Sequence, residues 1–250
     1  MNRGTVKVIQ ISDTHLFASD ESNIFGIKSN LKFNEVMSKI LIEDIIDADM
    51  ILLTGDISQD ETQQSYIKVV EILGKLAIPV YWIPGNHDNI LQMETVFNNT
   101  KNFNFTRTLS LLNWKFIFLN TKLNGSDNGF LDRSELFLLK QEIEKSDGKK
   151  LAVVMHHHPL EVNTPLIDNY ILKNSDEFWE VINGSKVKLI ICGHVHGDYK
   201  LKHKRISVET SPATCLQWQR GTKDLKIDKR IGYKIYHFDN AGYNSIAKIW

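Results

Sequence analysis

Seven of the nine histidines in this 250-residue chain fall in four short clusters, two of which also carry a carboxylate or an asparagine. These are Asp13-Thr14-His15, Gly85-Asn86-His87-Asp88, Met155-His156-His157-His158-Pro159 and Gly193-His194-Val195-His196, with only His203 and His237 elsewhere, and Gly55-Asp56 makes a fifth group of the same kind without a histidine. Imidazole and carboxylate are borderline-to-hard donors that select Mn, Fe or Zn over Cu(I) or Ca. Asp13 and His15 are two residues apart, as are His194 and His196. In extended chain that spacing puts both side chains on one face, able to chelate one ion. Asp56 has two oxygens with which to bridge a pair of ions about 3.5–4 Å apart, and Asn86 offers a neutral amide oxygen.

Charge decides what such a site would bind. With two carboxylates, one amide and four neutral imidazoles as donors, two divalent cations leave a surplus of about two positive charges. An anion must balance it, and a phosphoryl group held on both its attacking and leaving oxygens is the natural one. Taken singly, each motif has a bland explanation: a Gly-Asp or Gly-Asn pair is an ordinary turn, and loop histidines are often just hydrogen-bonded. The group argument is stronger. Each of the five follows a strand-like segment, and the carboxyl ends of parallel strands share one sheet edge.

The positioning elements are read from periodicity. Residues 6–11 form a strand that stops at Ser12-Asp13. Asn30 is placed to cap a helix over 31–46, with Phe33, Val36, Met37, Ile40, Leu41 and Ile45 at helical spacing. Residues 50–54 are an apolar strand of the kind buried on both faces. Asp60 with Gln63 resembles a capping box, opening a helix that Gly74 closes. Strands over 80–83, 115–120, 151–155 and 187–192 alternate with helices over 91–97, 134–145 and 175–182, the last ended by Gly184. Residues 98–104 and 219–229 read as loops. Beyond residue 198 the segments 199–204, 205–209, 232–238 and 246–250 read as strands of an antiparallel meander. Phe25, Phe33, Phe116, Phe118 and Trp179 are assigned mostly to the core; Phe17 is divided between packing and lining a base pocket. Alternating charge over 200–205 marks a solvated strand face. Cys192 and Cys215 read as buried residues, and His203 and His237 as surface or packing residues.

Composition sets outer bounds. Apolar residues at 42% and charged residues at 24% exclude a disordered or fibrous chain. The length suits one large α/β domain over 1–250. Lys plus Arg and Asp plus Glu each total 30, so the chain has no general affinity for nucleic acid or anionic membrane. No run approaches the ~20 apolar residues of a membrane span, the N-terminus is too interrupted for a signal-peptide core, and two cysteines make no disulfide framework. The expectation is a reduced, cytoplasmic protein; its oligomeric state stays open.

The ordered motif set, covering about residues 6–250, resembles the signature of the calcineurin-like metallophosphoesterases. Particular similarity to the bacterial class III cyclic-nucleotide phosphodiesterases rests on Thr14-His15-Leu16-Phe17, Gly55-Asp56-Ile57-Ser58-Gln59-Asp60, His156-His157-His158-Pro159-Leu160, residues 166–174 and Ser211-Pro212-Ala213-Thr214-Cys215-Leu216-Gln217. The resemblance implies an α/β fold, a four-layer αββα sandwich of two mixed sheets flanked by helices. It implies two divalent ions, Mn or Fe first and Zn compatible: one held by Asp13, His15, Asp56 and His196, the other by Asp56, Asn86, His156 and His194. Counting from Met155 selects His156, and counting back from Pro159 selects His157; the family's Met-His-His-Pro contexts favour His156. His87 resembles a histidine that is not a ligand but contacts the phosphate and protonates the leaving oxygen. Phosphoprotein phosphatases place a second Asp three residues after the bridging one; here Gln59 stands there, and whether Asp60 orients His87 stays open. The implied reaction is hydrolysis of a 3′,5′-cyclic nucleotide, cyclic AMP foremost, to the 5′-monophosphate by a metal-bridging hydroxide. Asp56, Asn86 and His87 are then catalytic, and His15, Asn86, His87 and His196 contact substrate. A phosphodiesterase for another diester, or an inactive scaffold with the same fold, are the alternatives.

Overall fold

The structure, a computed structural model, describes residues 4–250; residues 1–3, the start of the N-terminus read as lacking a signal-peptide core, lie outside the described residues. The first half runs β1 (Thr5–Ile11), α1 (Ser29–Glu43), β2 (Met50–Thr54), α2 (Gln63–Leu73), β3 (Val80–Ile83), α3 (Ile90–Phe97) and β4 (Phe103–Asn104). Then come β5 (Thr108–Leu111), β6 (Trp114–Phe118), α4 (Arg133–Glu144), β7 (Lys150–Met155), α5 (Pro165–Asp168), α6 (Ser175–Ile182), β8 (Val187–Cys192), β9 (Lys200–His203) and β10 (Ile206–Thr210). The chain closes with β11 (Gln217–Trp218), β12 (Ile227–Asp228), β13 (Gly232–Asp239) and β14 (Tyr243–Ile249).

Two six-stranded sheets result, ordered β14-β13-β1-β2-β3-β4 and β5-β6-β7-β8-β10-β9. Each has four parallel strands (β1 to β4; β6, β7, β8 and β10) extended by antiparallel ones. Period-two alternation sorts the side chains into layers. In β2, Met50 and Leu52 join Val8, Phe116, Val154, Ile191 and Phe238 between the sheets. Ile51 and Leu53 point the other way, against Phe33 and Val36 of α1, Val69 of α2 and Phe97 of α3. On the far side Val153, Met155 and Ile190 pack under Leu139 of α4 and Phe178 and Ile182 of α6. The expected four-layer αββα sandwich is what forms.

Several local expectations are corrected. The last strands are not one meander: β9 and β10 complete the second sheet, while β13 returns to pair with β1 in the first. Their burial decides this, since β13 is apolar enough to sit beside a central strand. β4 falls inside the polar segment read as a loop, and edge strand β5, half-exposed, was not expected. Asn30 lies within α1; its amide accepts from Phe17 N (2.9 Å) and donates to Phe17 O (3.0 Å), tying down the loop after the first motif instead of capping the helix. Thr62, not Asp60, caps α2 by accepting from Ser65 N. Cys192 and Cys215 are free and buried, and His203 stacks on Trp179. Lys200 and Lys202 of β9 are exposed while Leu201 and His203 are half-buried, as the charge alternation implied. Among the described residues no helix is long and apolar enough to cross a membrane.

Two polar devices join the sheets near the carboxyl ends of the parallel strands. Gln10 interrupts an apolar strand because its amide donates to Thr54 Oγ1 (2.9 Å) and across the layer to Cys192 O (3.0 Å), and accepts from Tyr236 OH (3.2 Å). Lys234 of β13 is 0% exposed, and its ammonium meets Asp198 (2.6 Å) and Glu209 (2.9 Å) of the other half and donates to Thr210 O (3.0 Å). Removing one partner of a buried pair strands the other's charge, at about 3–5 kcal/mol. Lys234→Ala is therefore expected to lower unfolding free energy by that amount in a urea titration. A loss under 1 kcal/mol would show that the ion cluster is not a structural tie.

Candidate metal centre

Five loops at the carboxyl ends of β1, β2, β3, β7 and β8 bring together the expected metal ligands and His87. The loops hold one another through their backbones: Asp13 N donates to Gly55 O (3.1 Å), His15 N to Asp56 O (3.0 Å) and Gly193 N to His156 O (3.1 Å). Side-chain direction is set by an unusual backbone. Asp13, His15, Asp56, His194 and His196 have φ of 53°, 45°, 50°, 66° and 46°. Left-handed φ disfavours a residue with a Cβ by about 1–2 kcal/mol, so five such residues are strain concentrated at one place. The extended chelating segments expected from the two-residue spacings are therefore not what forms; left-handed kinks do the aiming. Gly85 is required by proximity, because a Cβ there would stand 2.1 Å from Asp56 Oδ1.

Three imidazoles present bare nitrogen. Nδ1 of His156 faces Thr54 O (2.7 Å) and Nδ1 of His196 faces Leu216 O (2.9 Å). A carbonyl only accepts, so both Nδ1 atoms carry a proton, and Nε2 of each ring in its neutral form carries the lone pair. Nδ1 of His15 donates to Gln59 Oε1 (2.7 Å) with the same consequence. The Nε2 atoms of His15 and His196 then face each other at 3.1 Å. Two lone pairs at that separation repel unless a cation lies between them. Two nitrogens each about 2.1 Å from one ion, at angles between octahedral and tetrahedral, lie about 3.0–3.4 Å apart. Carboxylates complete this set: Asp56 Oδ2 is 3.7 Å from His15 Nε2, and Asp13 Oδ1 is 3.6 Å from His196 Nε2.

The second set shows the same need differently. Asn86 Oδ1, His156 Nε2 and His194 Nε2 are buried without a hydrogen-bond partner. Each such atom costs about 1–3 kcal/mol unless something binds it. His156 Nε2 also lies 3.2 Å from Asp56 Oδ2, without good hydrogen-bond geometry. Asp56 is thus shared by both sets, while its other oxygen accepts from His87 N (2.9 Å). The donor set fits a pair of divalent cations.

Protons partly occupy this charge system. Burial alone would raise Asp56, but the charge of His156 close by, with His87 and His15, holds it well below the usual carboxylate range. Burial disfavours a charged His156, yet Asp56 outweighs it and lifts the imidazole to about 9. Burial lifts Asp13 to about 7, lowers His15 to about 4, and pushes His194 and His196 well below the ordinary histidine range.

The remaining motif residues divide. Both ring nitrogens of His157 are engaged, Nδ1 with Thr121 Oγ1 (2.7 Å) and Nε2 with Asp127 O (3.2 Å). His158 is 0% exposed beside Asp168 (3.4 Å), so neither of these two histidines is free to touch substrate, where the sequence left one of them open for that role. Asp60 does not orient His87; its carboxylate accepts from Ala18 N and Thr62. Gln59 is the residue that sequence reading undervalued. Its Oε1 accepts from His15, and its Nε2 stands 3.4 Å from Nδ1 of His87, whose ring meets His15 edge-on. The signal was visible: Gln59 occupies the position where phosphoprotein phosphatases carry an Asp. Lys122 was also missed; its ammonium donates to Asn86 O (2.6 Å) and steadies that loop. Phe17 is outside the cavity at this site, whereas Phe25, assigned to the core, is 52% exposed and lines it.

Known proteins are similar to this chain in sequence and in fold. The calcineurin-like phosphoesterase family model matches residues 6–198. The chain is 33% identical over 91% of its length, and 83% of the relative's, to the 3′,5′-cyclic adenosine monophosphate phosphodiesterase CpdA of Vibrio vulnificus. It is 36% identical to a probable cyclic nucleotide phosphodiesterase of Coxiella burnetii, over 94% of both chains. In fold it is similar to GAP50, the anchor in the inner membrane complex of Plasmodium, with a TM-score of 0.68 at 13% identity, over 98% of this chain and 84% of that one.

Metal affinity should depend on pH with a definite sign. His156 at about 9 and Asp13 at about 7 must lose protons before they can ligate. Titration with Mn2+ in calorimetry is expected to release protons at pH 7 and to tighten from pH 6 towards pH 9. Equal affinity across that range, with heats independent of buffer ionisation, would contradict it. Gln59→Ala frees the His15 ring, and loss of such an orienting partner lowers metal affinity about 10–100-fold; unchanged affinity would show that Gln59 does not set the ligand.

Proposed function

The chain belongs to the calcineurin-like phosphoesterase family, and from that premise we propose that it hydrolyses 3′,5′-cyclic nucleotides, cyclic AMP foremost, to 5′-monophosphates. The observation that carries the reading is the convergence of imidazole nitrogens from both sets, His15 Nε2 and His156 Nε2, on one oxygen of Asp56, Oδ2, in a site where Asn86 Oδ1 and His194 Nε2 have no partner. The substrate class is supported by the names of the relatives from Vibrio vulnificus and Coxiella burnetii.

In this reading Asp13, His15, Asp56 and His196 hold one divalent ion, and Asp56, Asn86, His156 and His194 hold the other. His156 is preferred to His157 because both nitrogens of His157 are already engaged. Bound there, the ions, for which Mn and Fe suit the donors best and Zn is compatible, supply Lewis-acid charge and activate water at neutral pH. The rest is done by side chains. His15, Asn86, His87 and His196 surround the phosphate. Gln59 gives its oxygen to His15 and so keeps its own N–H for Nδ1 of His87. The His87 proton is then held at Nε2, where it can pass to the 3′ oxygen as that bond breaks. Free Cys192 and Cys215 suit a reducing compartment, and we place the protein in the cytoplasm.

Two variants test the assignment with cyclic AMP as substrate and Mn added. His87→Ala is expected to lower kcat about 10²–10⁴-fold, the usual contribution of a positioned acid. Asn86→Ala removes an oxygen that no protein donor satisfies, so it is expected to abolish most turnover while changing unfolding free energy by less than about 1 kcal/mol. Wild-type rates in either variant would count against the reading. Preference for a 2′,3′-cyclic nucleotide or a glycerophosphodiester in a parallel panel would redirect the substrate class and leave the chemistry standing.

A further inference from the structure

The donor residues open into a cavity of about 330 Å3, and the rest of its lining is mainly apolar: Ile24, Phe25, Leu166, Tyr170, Trp218 and Leu225. Phe25, Tyr170 and Leu225 are exposed at 52%, 38% and 55%. An apolar wall beside a site with surplus positive charge calls for a ligand that is anionic at one end and flat and apolar at the other.

Trp218 is placed to meet the flat end. Its indole stacks on His196, with ring centroids 5.1 Å apart and planes at 26°, and Phe25 stands edge-on to the same indole at 5.9 Å and 74°. The corner is braced from behind, where Trp218 packs with Ile24, Ile27, Ala213, Cys215 and Leu216.

Phe25 is held there against its backbone preference. Ile24 and Ile27 exchange both backbone hydrogen bonds (3.0 and 2.9 Å) around a two-residue turn. Phe25 and Gly26 at its tip have φ of 51° and 77°. Positive φ at both central positions is the type I′ arrangement, which favours Asn, Asp or Gly over an aromatic. A strained, half-exposed aromatic over the site is hard to account for by folding alone.

We propose that Phe25 and Trp218 form the platform on which the nucleobase of the substrate stacks, so that its phosphate, one ribose away, reaches the donors around Asp56. This rests on the nucleotide-hydrolysing reading above and assigns its base-recognition residues. Stacking on an aromatic side chain is worth about 1–3 kcal/mol per base, equivalent to about 5- to 150-fold in affinity.

The test compares ligands that differ only in the base. Binding of 5′-AMP and of ribose 5-phosphate to the Mn-loaded protein is measured by calorimetry for wild type, Phe25→Asn, Trp218→Ala and Trp218→Phe. Phe25→Asn removes the ring but supplies a residue that the turn favours, so its melting temperature should not fall. The expected result is a wild-type preference for 5′-AMP of tenfold or more, cut at least fivefold by Phe25→Asn and Trp218→Ala and largely restored by Trp218→Phe. Variants that weaken both ligands equally, or neither, would overturn the platform. Cyclic AMP turnover by the wild type is measured beside these titrations. If cyclic AMP is not hydrolysed, the functional reading fails by itself, while an intact and variant-sensitive preference for 5′-AMP still upholds the platform as a nucleobase site.

Discussion

Mutual repulsion among buried electron pairs is the constraint on which this molecule turns. Nε2 of His15 faces Nε2 of His196, and Nε2 of His156 faces a carboxylate oxygen of Asp56. Each contact is unfavourable unless positive charge lies between its atoms. Without cations the protein meets part of the demand with a proton, which is why His156 binds one so tightly beside Asp56. Strained backbone at five of the donors, and a glycine that a single methyl would spoil, show how much local structure is given over to the arrangement.

The rest of the fold can be understood as what makes that arrangement affordable. Two parallel-centred sheets put five loops on one edge. The layer between the sheets is apolar except near that edge, where Gln10 joins Thr54 to Cys192 and Tyr236. Thr54 also presents the carbonyl that fixes the tautomer of His156. Lys234 ties the segment just after His196 to β10 through Asp198 and Glu209. The donors thus stand on a braced floor, and Gln59 and Lys122 hold their upper loops.

The fold class and the ingredients of the centre were legible because they rest on short-range signals. Apolar runs marked β1, β2, β7 and β8, and the donor motifs stood directly after them. What was not legible depended on tertiary partners. Asn30 and Asp60 look like helix caps until the neighbouring loop offers Phe17 and Ala18 amides instead. β13 reads as the middle of a meander because nothing in its own sequence says that β1 has an open edge. Phe25 reads as core because an aromatic usually is, and only the turn geometry shows that it is held out over the cavity. The extended form assumed for Asp13 and His15 put them on one face, but the route by which they converge is left-handed backbone, which Asp and His tolerate better than most residues but do not require.

The central claim is that one edge of this sandwich is built around two cations sharing Asp56. Anomalous diffraction at the Mn edge from crystals grown with Mn2+ tests it most directly. The account predicts two peaks about 3.5–4 Å apart, one against His15 and His196, the other against Asn86, His156 and His194, with Asp56 between them. A single ion, or peaks away from these side chains, would contradict it.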